Sequence, residues 1–219
     1  MFLLLITRII TGSLKENCYI VSTDTNKCLI FDPGADFDKI NKYIIKNKFT
    51  PKYIFLTHGH YDHIGAVPML KENYPDVKII ISKEDEDFLK DGDKSLANIY
   101  GNHDQKRVDP DIIIKDNETI KIDDISVTSI LTPGHTPGGV CYLINHDILI
   151  TGDTLFKNSV GRTDLYGGDQ DKLEKSIKKI YKLFSINNKI EIKIYPGHGF
   201  SSNLEKEFYN NPYLNFLKK

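Results

Sequence analysis

The 219-residue sequence contains no tryptophan, two methionines and three cysteines, and nowhere an apolar run approaching the roughly 18 residues that span a bilayer. The missing tryptophan decides nothing, but the other shortages do. Cys18, Cys28 and Cys141 are odd in number, form no Cys-x-x-Cys pair and sit among apolar neighbours, so they read as reduced, buried thiols. Charge of one sign is also lacking. With 29 basic against 30 acidic residues the net charge is -1, so the overall basic excess that usually marks a nucleic-acid binder is missing. Residues 1–6 are apolar, but no basic segment precedes them and no small-residue cleavage site follows, so they read as a strand and not as a leader. The expectation is a soluble, cytoplasmic protein with neither nucleic acid nor membrane as partner. No low-complexity tract, linker or short-period repeat divides the sequence, and residues 1–219 read as one domain.

What is present is a chain of short strands rich in β-branched and aromatic residues. Residues 2–10, 18–22 and 27–31 form an antiparallel meander broken by Thr11-Gly12-Ser13 and Asp24-Thr25-Asn26. A helix follows, with Asp36 as its cap and Phe37, Ile40, Tyr43 and Ile44 at helical spacing. A strand at 52–56, a helix at 65–73 ended by Tyr74-Pro75, and a strand at 77–81 come next. Residues 83–100 read as one or two helices interrupted at Asp91-Gly92-Asp93. Strands resume at 118–122, 125–131, 140–144 and 147–150, the last two joined by a hairpin at Asn145-His146. Leu173, Ile177, Ile180, Tyr181 and Phe184 mark a helix capped by Asp169 or Asp171, with Lys175, Lys178 and Lys179 on its solvated face, and residues 191–195 form the last strand. Two groups of strands, each followed by helices, suggest two sheets face to face with helices outside.

The heptad Thr57-His58-Gly59-His60-Tyr61-Asp62-His63 lies between a strand and a helix start. Three histidines and an aspartate this close cannot share one face of a strand or a helix, but a turn can converge them. His58 and His60 can reach one ion while Asp62 and His63 reach another, and this imidazole and carboxylate set suits zinc or iron. The plain alternative is a polar loop with Asp62 capping the next helix.

His135, Asp153 and His198 each follow a strand inside a Gly- or Pro-containing turn: Thr132-Pro133-Gly134-His135-Thr136-Pro137-Gly138, Thr151-Gly152-Asp153-Thr154 and Tyr195-Pro196-Gly197-His198-Gly199. Five of the seven histidines fall in these four turns, which strand ends can gather onto one rim. His103 and His146, the two left over, have no ligand-like setting and read as solvated. Tyr61 either faces substrate or packs beside the site.

In this order the four turns resemble the metallo-β-lactamase superfamily, across the whole chain. The resemblance implies an α/β fold of the α+β type, a four-layer αββα sandwich of two mixed sheets with a two-metal site on its upper edge. Asp32-Pro33-Gly34 matches a further element of that superfamily, so Asp32 is placed as a support of the metal loop rather than a ligand, a plain turn aspartate being the other reading. Gly152-Asp153-Thr154-Leu155-Phe156, Gly161-Arg162-Thr163-Asp164, Gly167-Gly168-Asp169 and Asn211-Pro212-Tyr213 are similar to the short bacterial members of the glyoxalase II group. Carried over by residue, His58, His60 and His135 hold the first metal, Asp62, His63 and His198 the second, and Asp153 bridges both; Asp62 and Asp153 are the carboxylates of catalysis.

Two divalent cations, zinc first with iron or manganese also compatible, can share a hydroxide at neutral pH as nucleophile. The implied activity is metal-dependent hydrolysis of a small acyl-thioester, with a hydroxyacyl-glutathione as the model substrate. Arg162 takes the place of a glutathione-contacting basic residue, or pairs structurally with Asp164. Asp164 and Phe200 stand where glutathione binders carry tyrosine, and the C-terminal helical domain of full-length glyoxalase II has no counterpart, so a more open site is expected. The rival readings are a persulfide dioxygenase using one iron, and a lactone or phosphodiester hydrolase on the same scaffold.

Overall fold

A computed structural model of the chain describes residues 5–101, 105–185 and 191–218. His103 and residues 2–4 of the expected first strand lie outside them. β1 (Leu5–Thr11), β2 (Glu16–Ser22) and β3 (Lys27–Phe31) form the expected antiparallel meander. After α1 (Phe37–Lys46), β4 (Thr50–Phe55) joins β3 in parallel. Then α2 (Tyr61–Ile64) and α3 (Val67–Asn73) lead to β5 (Lys78–Ser82), also parallel, and β6 (Ile112–Ile114) completes the first sheet in the order β1-β2-β3-β4-β5-β6.

The second sheet is built from β7 (Thr119–Ile122), β8 (Ile125–Leu131), β9 (Val140–Ile144) and β10 (Ile148–Gly152), all antiparallel neighbours. The hairpin β11 (Leu155–Phe156) and β12 (Ser159–Val160) and then α4 (Gln170–Ser185) precede β13 (Lys193–Pro196), which pairs with β10 in parallel. β14 (Ser202–Asn203) closes the sheet and α5 (Leu204–Asn210) follows it.

Strand side chains alternate, and both faces here are apolar, which is why the strands read as near-continuous hydrophobic runs. On β2, Cys18 and Ile20 face the layer of α1 and α3, while Tyr19 and Val21 face the other sheet. On β10, Ile148 and Ile150 face the first sheet and Leu149 faces α4. Three apolar layers result, one between the sheets and one under each set of helices, giving the expected αββα order. Between the sheets Phe31 and Phe55 stack with centroids 5.0 Å apart, and Tyr142 meets Phe55 edge-on at 5.1 Å. Burying a side chain of this kind contributes about 1.5–3 kcal/mol, so the sheet interface anchors the strand ends beyond it. All three cysteines are buried and unbridged, and burial pushes the Cys28 thiol up to about 12.

Several details differ from the expectations of the sequence, beyond the short strands β6, β11 and β12 that no pattern announced. Asp36 occupies the N-cap position of α1 in a left-handed conformation, but its side chain makes no capping bond; its carboxylate accepts the Gly12 N–H of the β1–β2 turn instead. Residues 83–100 hold one 3-10 turn, Glu86–Leu89, and irregular turns in place of helices. The helix expected at 65–73 begins at Val67 as α3, and the single turn α2 precedes it across Gly65-Ala66. The strand expected to be last is followed by β14 and α5, which carry too few residues to show a pattern. At α4 the choice falls on Asp169, whose Oδ1 accepts the Lys172 N–H at 3.0 Å.

Candidate metal centre

Asp32 follows β3, the heptad follows β4, and the turns of His135, Asp153 and His198 follow β8, β10 and β13, so all meet on one rim. His58, His60 and His135 form one group whose ligand-type atoms lie within 4.8 Å of one another; Asp62, His63 and His198 form another, and His58, His63 and Asp153 a third. Asp153 stands between the first two. Its Oδ1 is 3.5 Å from His63 Nε2, and its Oδ2 is 3.6 Å from His135 Nε2 and 3.7 Å from His198 Nε2.

The outer nitrogens of the imidazoles say which atoms face inward. His135 Nδ1 donates to the Arg162 carbonyl at 2.7 Å, His198 Nδ1 to the Leu14 carbonyl at 3.2 Å, and His63 Nδ1 to Asp32 Oδ2 at 3.1 Å. The Thr57 hydroxyl gives its proton to Asp32 and so accepts from His58 Nδ1, at 3.0 Å. Four rings therefore turn Nε2 toward the centre, the arrangement in which a metal-binding histidine is held by its other nitrogen. His60 is the exception. Its Nδ1 stands 3.0 Å from His135 Nε2, a contact in which two lone pairs would repel unless a proton or a cation lay between them.

Buried polar atoms ordinarily have partners, and here several do not. His58 Nε2, His60 Nε2, His63 Nε2 and Asp153 Oδ1 are buried with no hydrogen bond, although the rings around them are well tied from behind. Inward imidazole nitrogens and a carboxylate oxygen without a donor suit a divalent cation of the zinc or iron type.

The electrostatics point the same way. Burial, then the neighbouring imidazoles, lowers His58 well below the usual range, and burial with His135 and His63 lowers His60 to about 3. Two imidazolium charges about 5 Å apart would repel by roughly 3 kcal/mol at an effective dielectric of 20, so these two rings stay neutral. Burial opposes charge on His63 as well, but Asp153, Asp62 and Asp32 outweigh it and raise that ring well above the usual range. Burial disfavours the Asp62 carboxylate, yet His63, His198 and His60 hold it well below the usual carboxylate range. The His198 ring is 3.1 Å from Asp62 Oδ2.

Asp32 is buried with its oxygens turned to the Thr57 N–H, the Thr57 hydroxyl and His63, all at 2.7–3.1 Å, which places it behind the heptad. Close approach is purchased with glycine at two points. Gly152 has φ +47°, and a Cβ there would meet Thr57 Oγ1 at 2.3 Å; a Cβ on Gly197 would lie 2.3 Å from Asp153 Oδ1 and 2.5 Å from His63 Cε1.

Three supports escaped the sequence reading. Asp85, fully buried after β5, accepts the Gly59 N–H at 3.0 Å, the Gly138 N–H at 2.7 Å and the Thr136 hydroxyl at 2.7 Å, so one carboxylate clamps the heptad to the His135 turn. Burial pushes it up to about 6 against the pull of those three donors. Asn17 and Tyr19 of β2 hold the His198 turn, Asn17 Nδ2 donating to the Pro196 and Gly199 carbonyls and Tyr19 to Pro196. Glu16, also buried, accepts the Thr11 hydroxyl and brings a carboxylate oxygen within 4.8 Å of Asp32 and His63; burial raises its pKa well above the usual range. Any signal for these lies in a polar residue beside a strand end, and many surface positions look the same.

At the edge of the cleft Arg162 makes a two-pronged contact with Asp164, at 2.7 and 2.8 Å, both side chains exposed. On the His198 side the exposed ring of Phe200 has Arg8 at 5.9 Å and Lys157 at 6.0 Å from its centroid. His146 is exposed in the β9–β10 turn. Tyr61 faces two cavities beside the site.

A histidine and aspartate cluster built on strand-end turns at the rim of an αββα sandwich is the centre of a metallo-hydrolase class. The family model "Metallo-beta-lactamase superfamily" matches residues 11–198, and the chain belongs to that superfamily. It is 34% identical over 209 residues to "Probable metallo-hydrolase YqgX" of Bacillus subtilis (strain 168), covering 95% of this chain and 96% of the relative. It is 33% identical over 206 residues to "Hydroxyacylglutathione hydrolase GloC" of Haemophilus influenzae, covering 93% and 94%. Among solved structures, the BLEG-1 B3 metallo-beta-lactamase superposes with a TM-score of 0.87 at 30% identity, covering 96% of this chain and 99% of that one. TTHA1623 in a di-iron-bound form does so with a TM-score of 0.82 at 30% identity, covering 95% and 100%. Among the described residues no helix is long and apolar enough to cross a membrane.

Proposed function

We propose that the chain is a metal-dependent hydrolase of acyl-thioesters, acting on a hydroxyacyl-glutathione-like compound. The observation that carries this reading is the convergence of two three-residue groups on Asp153, with the buried Nε2 atoms of His58, His60 and His63 left without a hydrogen bond. In it His58, His60 and His135 would hold one divalent cation, Asp62, His63 and His198 would hold a second, and Asp153, standing between the two groups, would serve both. Zinc is the first choice and iron or manganese is compatible. Similarity over nearly the full length to a relative named as a hydroxyacylglutathione hydrolase supports the substrate class.

When bound, such a pair of cations supplies a water acidified to near neutrality and Lewis-acid polarisation of a carbonyl. The chain's own groups do the rest. The turn framework holds the reacting carbonyl and the water in one orientation, which can lower a barrier substantially without new chemistry. Asp62 and Asp153, both still partly open to the cleft, are the carboxylates that flank the reacting centre and orient the attacking water by accepting its hydrogen bonds. Arg162 exchanges Asp164 for a carboxylate of the thiol carrier, since a guanidinium takes either in the same forked geometry.

The test is thiol release from S-lactoylglutathione by zinc-loaded protein. Turnover that stops on chelation and returns with zinc is expected. No thiol release, together with oxygen uptake on glutathione persulfide, would hand the site to the dioxygenase chemistry instead.

A further inference from the structure

Beside Asp62 the rim opens into a recess of about 130 Å³, walled by Leu14, Ala35, Tyr61 and Tyr100 over a floor of Gly12 and Gly34. Among the described residues no cation lines it, and Asp62 is the one charged group there. The Thr11 hydroxyl at its edge is taken up by Glu16, so the walls offer mainly carbon. An anionic thiol carrier has nothing to bind there, whereas an acyl chain does.

The position of the recess is fixed relative to the reacting centre. The carbonyl of Leu14 accepts from His198 Nδ1 at 3.2 Å, which ties one wall to a residue of the metal centre. A Cβ on Gly34 would fall 1.5 Å from the Asp62 carbonyl oxygen, so the floor is backbone lying directly on the heptad. Tyr100 lines the recess beside Asp62; burial, then the carboxylate of Asp62, raises its phenol. Size then limits the occupant. At roughly 30 Å³ for each water-sized group, the recess takes about four non-hydrogen atoms, far short of a drug-sized site.

We propose that this recess is the acyl subsite and that it restricts the substrate to thioesters of short acyl groups, of about two to four carbons. The inference rests on the thioesterase reading above. In the reaction the carbon–sulfur bond breaks, a carbon–oxygen bond forms from water, and the water's proton ends on the sulfur, giving a short carboxylic acid and a free thiol. The thiol portion points away from the recess, toward the cations at the cleft edge.

The experiment measures kcat/KM of zinc-loaded protein for acetyl, butanoyl, hexanoyl and octanoyl thioesters of N-acetylcysteamine, with zinc content checked in each preparation. Butanoyl should exceed acetyl by about tenfold, as two buried methylenes imply, and octanoyl should fall at least tenfold below butanoyl. Leu14→Ala and Tyr100→Ala open the recess and should raise the octanoyl-to-acetyl ratio at least fivefold. Ala35→Leu fills it and should lower the butanoyl-to-acetyl ratio by a similar factor. A flat chain-length profile, or one that none of the three variants alters, overturns the acyl subsite while leaving the thioesterase reading intact. Failure of the wild-type protein to hydrolyse any thioester overturns that reading and the subsite with it.

Discussion

Asp153 and Asp32 are two aspartates after parallel-running strands, and the structure gives them opposite surroundings. Asp32 is buried and fully engaged, with donors from Thr57 and His63 on both oxygens, whereas Asp153 meets three imidazoles and keeps a buried Oδ1 without a donor. Replacing Asp32 with alanine strands those donors and should lower the melting temperature of metal-free protein by about 5–10 °C, given about 1–3 kcal/mol for each unsatisfied group and a few degrees for each kcal/mol. Asp153→Ala should move that temperature by less than about 3 °C yet reduce bound zinc from two ions per chain to fewer than one. Differential scanning calorimetry and elemental analysis on the two variants check this crossing. Equal losses of zinc, or a larger stability loss at Asp153, would mean that the carboxylate joining the two groups has been misassigned.

At the scale of elements, what could be read in the sequence was set by how far each pattern ran. β2, β3, β8 and β9 alternate two apolar layers over five to seven residues, and α4 keeps a stripe of Leu173, Ile177, Ile180 and Phe184, so periodicity located them. Two-residue strands such as β11, β12 and β14 exist because of neighbours: Asn211 Nδ2 donates to the Ser159 carbonyl at 3.0 Å and so ties the hairpin after Asp153 to the C-terminal segment. The stretch after β5 misled for a physical reason. Its charged residues favour a helix locally, but Leu96 sits at φ +67° and the Asp85 carboxylate is bound by backbone far away in sequence, so tertiary demands override propensity. The seven candidate ligands were legible because they cluster in turns at strand ends; Asp85, one acid among Glu84, Glu86 and Asp87, was not. Asp85→Ala should leave Gly59, Gly138 and Thr136 without their acceptor and loosen the His58, His60 and His135 group alone. Competition with a chromophoric chelator should show one zinc site weakened at least tenfold, in the range for lost supporting contacts, and the other within about twofold of wild type. Equal weakening of both sites would show that Asp85 supports the fold in general.

On the whole-molecule scale, the two sheets bring different parts of the centre. The first sheet contributes Asp32 and the heptad, the second contributes His135, Asp153 and His198, and the aromatic layer of Phe31, Phe55 and Tyr142 holds the two rims in register. Neither sheet alone carries either of the two groups assigned to cations, since His135 completes the first and His198 the second. The near balance of charge over the chain leaves the local charges of the cleft to decide what binds. The central claim is that seven side chains form one centre for two cations, more ligands than a single ion ordinarily takes. Its most direct test is elemental analysis of protein prepared without chelator and then titrated with zinc. Two ions per chain at saturation, with none retained after loss of the histidine groups, is the predicted result; a plateau at one ion, unchanged by further zinc or by iron, would contradict it.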